Sequence, residues 1–177
     1  GAVSIAEALR LAPNLQVARS ASNAYAISSR GFNTTTTNKL LVLLDGRSVY
    51  TPLYSGVFWD AQDTLMEDIE RIEVISGPGA TLWGANAVNG VINIITRNAA
   101  DTHGTLVTTT LGKEEKAIGV RQGGQSTSGI DYRLYAKKFY RGATVNALGD
   151  GLRDAWNGAQ GGFRIDNTSY KKQTWTL

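Results

Sequence analysis

An α+β fold, a small mixed sheet with short helices followed by antiparallel strands, is predicted by three features of this sequence. Short apolar runs bounded by turn residues dominate over helical periodicity, two helix-start signals each open only a turn or so, and after about Arg97 alternation replaces continuous apolar runs. With 42% hydrophobic and 19% charged residues the chain is globular, and 20 glycines imply frequent turns, so strands and loops outweigh helix.

Ser4-Ile5-Ala6-Glu7 fits a capping box, in which the serine oxygen accepts a helix N–H and the glutamate reaches back to the cap. Ile5, Ala8, Leu9 and Ala12 then share one face, and Pro13 ends the helix near Leu11. Extended segments are predicted at 15–18, 24–29, 39–44 and 71–75. The third, apolar throughout between Lys39 and Asp45-Gly46, reads as a central strand covered on both faces. Thr64-Leu65-Met66-Glu67 offers a second capping box, Gly77-Pro78-Gly79 a turn, 81–83 a helical turn and Gly90–Thr96 another strand.

Beyond Arg97 the clearest alternation sets Ile130, Tyr132, Leu134 and Ala136 against Asp131, Arg133, Tyr135 and Lys137. Weaker versions lie at 105–111, 117–122, 161–166 and 173–177. Such strands suit a lipid-facing barrel wall and an ordinary half-buried sheet equally, because both have period two. The change of character divides the chain into an expected domain over residues 1–97 and a run of strands over 98–177.

Composition excludes several functions. A net charge of +3 from scattered Lys and Arg, without a dense basic stripe, argues against nucleic-acid binding. The absence of cysteine removes disulfides, thiolate nucleophiles and cysteine zinc sites, and His103 is the single imidazole, expected to be solvated in a glycine-rich linker. No catalytic triad or paired-histidine metal site can be assembled, so neither an enzyme nor a metal or cofactor site is expected. Asp60 with Asp63 falls short of the six to eight oxygens that a calcium site takes. Glu70 and Glu73 belong to opposite faces of a strand, and Gly77 to Gly84 lacks the spacing of a phosphate loop. The longest aliphatic run, Leu40–Leu44, is far shorter than the roughly 20 residues of a spanning helix. The chain opens directly before a helix signal, so an export signal is expected to have been removed or to lie outside it.

Read together, these stretches resemble the plug domain of TonB-dependent outer-membrane receptors. Ile5-Ala6-Glu7-Ala8-Leu9 through Pro13 is similar to that family's first plug helix, Arg30-Gly31-Phe32 to its R-G-F element, and Leu41-Val42-Leu43-Leu44-Asp45-Gly46 to its L-V-L-I-D-G strand. The most specific block runs from Ile69-Glu70-Arg71-Ile72-Glu73-Val74-Ile75 through Gly77-Pro78 and Leu82-Trp83-Gly84 to Gly90-Val91-Ile92-Asn93-Ile94-Ile95-Thr96-Arg97. These motifs keep the family's order. Ser76 departs from a common arginine, Asn14 from a glycine and Trp83 from a tyrosine.

The resemblance implies a plug that gates the pore of a barrel of about 22 strands, with 98–177 supplying the first of them. It further implies residence in the bacterial outer membrane, uptake of an iron chelate such as a siderophore complex or of cobalamin, and energy from TonB. The family's TonB box and first plug strand are expected before Gly1. A small αβ ligand-binding module of another class is the alternative. The four plug strands are expected to run up, down, up, down, which places 19–23 and 47–59 at the outer end and 33–38 at the periplasmic end. Arg19, Ser20, Asn23, Tyr50, Tyr54, Phe58 and Trp59 are the ligand-facing candidates, and Arg30 is the candidate contact to barrel carboxylates. Unpaired strand edges after Thr96 are expected to drive the isolated chain to a homodimer.

Overall fold

The computed structural model describes residues 2–31, 33–84, 86–146, 148–167 and 175–176, the last two by backbone alone. Two units emerge, Gly1–Thr96 with Thr144–Asp154, and Arg97–Ala143 with Ala155–Leu177.

The first unit begins with α1 (Ile5–Ala8), continued by a 3-10 turn at Leu9–Leu11. Ser4 accepts the Glu7 N–H at 3.4 Å, so the serine half of the predicted cap forms. Glu7 turns elsewhere, taking Arg10 Nε at 2.6 Å and the Tyr25 hydroxyl at 2.9 Å. Strands β1 (Gln16–Ala21) and β2 (Ala24–Ser28) pair antiparallel in a sheet of their own. The main sheet joins β3 (Leu40–Leu44), β4 (Arg47–Ser48), β5 (Ile69–Ser76) and β6 (Gly90–Thr96) in the order β4-β3-β6-β5. β6 runs parallel to β3 and antiparallel to β5, making the sheet mixed.

Burial explains this order. Val91, Ile92 and Ile94 of β6 are at most 1% exposed, so β6 is the most enclosed strand. Val42 and Ile92 meet Ile5 of α1 and Leu9 of the 3-10 turn in the main core, while Leu41 and Val91 pack with Ala87 on the other side. Both faces are thus covered, as expected of an apolar run. Gly90, at φ +158°, leaves no room for a side chain, because a Cβ would stand 2.3 Å from the Ile75 carbonyl oxygen. The second predicted capping box is not realised: the 3-10 turn Met66–Asp68 is entered from Leu65 without a side-chain cap. After Gly79, α2 (Ala80–Trp83) forms the predicted helical turn.

The second unit is an antiparallel sheet, β7 (Gly104–Leu111), β8 (Glu115–Gln125), β9 (Ile130–Arg141), β10 (Trp156–Asn167) and β11 (Trp175–Thr176), paired in chain order. The predicted final strand 173–177 lies mostly outside the described residues. Within β9 the predicted alternation is present with a definite polarity: Asp131, Arg133, Lys137 and Arg141 are buried, and Leu134 is 54% exposed. Cross-strand register carries the same division through the sheet, with Gly119 beside Lys137 and Val120 beside Ala136. Val107 and Phe163 on the outer face are each 61% exposed. A sheet that buries its charges and exposes its aliphatics is built the reverse way from one facing water, and matches a barrel wall with a polar interior. That polarity decides between the two readings that alternation alone left open.

Candidate ligand-facing site

The turn between β1 and β2 is braced from its own strand. Arg19, which with Ser20 lies in β1 rather than in a loop, donates to the carbonyls of Ala21 and Ser22, both at 3.3 Å, and Ser20 donates to Ala24 at 3.3 Å. A second brace comes from 144–154. Asp154 Oδ2 accepts the Ser22 amide at 2.8 Å and the Thr144 hydroxyl at 2.7 Å, while Oδ1 accepts the Thr144 amide at 2.8 Å. The fully buried Ser22 hydroxyl donates to the Asp154 carbonyl. Bonds from Thr144, despite partial desolvation, hold the Asp154 carboxyl below its ordinary range.

Next to Ser22, the exposed Asn23 lines a cleft of about 280 Å³ with Thr35, Thr36, Tyr54, Phe58, Trp59 and Asp60. The 47–59 segment begins as β4, hairpin partner of β3, before looping out. Its tip is tight: Thr51 and Gly56 bridge, Ser55 adopts φ +57°, and a Cβ on Gly56 would collide with the Tyr54 ring. Tyr54 and Phe58 meet edge to face at 5.1 Å between centroids. Burial, then the Asp60 charge, raises the Tyr54 hydroxyl above its ordinary range. Trp59 also belongs to the core, whereas Phe58 remains 43% exposed.

Four of the seven ligand-facing candidates, Asn23, Tyr54, Phe58 and Trp59, therefore come together. Arg19 and Ser20 brace the turn behind them. Tyr50 stands apart: it packs on the core and donates to the Leu40 carbonyl at 2.5 Å, and burial pushes its hydroxyl up to about 12. The loop 33–38 differs from expectation, since Thr35 and Thr36 share the cleft instead of lying at the opposite end. Strand alternation does not govern it, because β2 and β3 belong to different sheets. Arg30 is exposed at φ +65° and, among the described residues, forms no hydrogen bond or ion pair; its neighbour Phe32 lies outside the described residues. His103 is exposed, as expected, and its Nε2 also contacts the buried Asp131 at 2.8 Å.

A family model, the TonB-dependent Receptor Plug Domain, matches residues 1–91, more than half of the 177. The chain belongs to this receptor family. The vitamin B12 transporter BtuB of Vibrio vulnificus is 33% identical over 115 residues, covering 64% of this chain and 18% of the transporter. The ferric enterobactin receptor of Pseudomonas aeruginosa is 34% identical over 110 residues, covering 54% of this chain and 15% of the receptor. The chain thus spans less than a fifth of the length of either relative. The fold agrees: the FrpB iron transporter of Neisseria meningitidis superposes with a TM-score of 0.72 at 16% identity, over 96% of this chain and 27% of its own. The solved P. aeruginosa ferric enterobactin receptor gives 0.68 at 20% identity, over 97% and 29%. As a plug-bearing TonB-dependent receptor sequence, the chain is a protein of the bacterial outer membrane, and its relatives are named transporters and receptors rather than enzymes.

Proposed function

We propose that this chain is the pore-gating plug and the first wall strands of an active transporter that takes up an iron–siderophore complex or cobalamin, energised by TonB. Residues 1–97 act as the plug and 98–177 as wall. The cleft at Asn23, Tyr54, Phe58 and Trp59 carries the reading: an aromatic edge beside exposed amide and hydroxyl groups suits a flat chelate or macrocycle. Relatives named for vitamin B12 and ferric enterobactin support that ligand class. Arg30, exposed and unengaged among the described residues, is assigned to wall carboxylates of the full-length receptor.

The test is a double substitution, Tyr54→Ala with Phe58→Ala, in the full-length receptor, with equilibrium binding of ferric enterobactin and of cyanocobalamin. Loss of both rings predicts weakening of roughly tenfold for whichever probe binds wild type. Unaltered affinity for that probe would remove the cleft from the ligand path.

A further inference from the structure

The outward face of the wall carries its own charge pattern. Along β7 to β10 the outward residues are Thr105, Val107, Thr109 and Leu111; Lys116, Ile118, Val120 and Gln122; Tyr132, Leu134, Ala136, Lys138 and Tyr140; and Asn157, Ala159, Gly161, Phe163 and Ile165. No carboxylate stands among them, and the two charges are both lysines. All the acidic residues of these strands, Glu115, Asp131 and Asp166, belong to the opposite face.

Register brings the lysines together. Lys116 pairs with Tyr140 and Ile118 with Lys138, so the lysines are diagonal neighbours on adjacent strands, about 7–8 Å apart by Cα. They line a shallow depression of about 610 Å³ with Leu111, Ile118, Tyr140 and Asn157. Among the described residues neither lysine has an ion pair or hydrogen bond. Two like charges held this close on an apolar face repel each other and favour a shared anion.

Depth in the membrane narrows its identity. Lysine at the midplane of a barrel wall is costly and near the interface is nearly free, so Lys116 and Lys138 belong at headgroup level beside the girdle position of Tyr140. The connection at their end, from Arg141 to Trp156, is much longer than the turn from Gln125 to Ile130 at the other, and in such barrels long loops face outward. We infer that Lys116 and Lys138 form a binding site for the phosphate of an anionic lipid headgroup in the outer leaflet, with Leu111 and Ile118 against its acyl chains.

The full-length receptor, reconstituted into phosphatidylcholine nanodiscs with and without lipid A, tests this by mass spectrometry of the lipid retained after detergent extraction. Wild type is expected to retain lipid A over phosphatidylcholine, and K116A/K138A to lose roughly thirtyfold of it, the effect of removing two lysine charges at an anionic membrane surface. K116R/K138R should retain it, and both variants should keep the heat-resistant gel mobility of a folded barrel. Equal retention by K116A/K138A, or no preference over phosphatidylcholine in wild type, would overturn the site. Displacement by millimolar inorganic phosphate would overturn it too, by making a free anion the occupant.

Discussion

Asp45 shows how a family motif residue serves the fold. It sits at φ +48°, a conformation that aspartate tolerates better than most residues, and its carboxylate accepts the Thr96 amide and hydroxyl, both at 2.8 Å. The turn after β3 is thereby tied to the end of β6. Asp45→Ala removes both bonds to the buried Thr96, so a loss of about 2 kcal/mol is expected in denaturant unfolding, with Asp45→Asn losing less. Equal stability for Ala and wild type would mean that the tie contributes nothing. Single residues were unevenly legible in the sequence. An Asp-Gly pair after an apolar run announces a turn, whereas nothing near His103 indicates Asp131, a partner 28 positions away. Tyr50 and Tyr54 are equivalent as letters; only packing sends one hydroxyl to Leu40 and the other ring to the cleft.

At the scale of elements, β3 and β6 were readable because an apolar run enclosed on both sides leaves few alternatives. Their parallel pairing was not, since it depends on the long crossover between them. The clasp of 144–154 on the β1–β2 turn was likewise hidden, because Asp154 and Ser22 are 132 positions apart. The clasp gives a pH dependence. The Asp154 carboxyl is held below its ordinary value of 3.8, so the folded state binds its proton less readily than the unfolded chain does. Its contribution is fully present above that ordinary value and disappears as pH falls through the lower folded-state value. Hydrogen exchange at the Ser22 amide should therefore accelerate in strong acid relative to the core of β6. Asp154→Asn should show faster Ser22 exchange already at neutral pH; exchange identical to wild type would exclude the carboxylate as the latch.

For the whole molecule, the inverted faces of the wall have a consequence for these 177 residues expressed by themselves. Among the described residues β7 lies at one end of its sheet, so its outer backbone N–H and C=O groups can take a further strand, and the face bearing Val107, Leu134 and Phe163 is exposed. In the membrane, lipid and neighbouring strands would meet both. In water, burial of that face is favourable by roughly 25 cal/mol per Å² of apolar surface, and pairing of the β7 edge with another copy satisfies its backbone groups as well. The chain is therefore expected to associate, with a symmetric pair of β7 edges as the simplest arrangement. Detergent should act against it by covering the apolar face. Light scattering at micromolar concentration is expected to give a dimer or larger species without detergent and a smaller protein mass above the critical micelle concentration. Proline at Thr108, inside β7, should weaken the association by disrupting that edge. A monomer in plain buffer, with β9 amides protected from exchange, would mean that the exposed face and the β7 edge are satisfied within one chain.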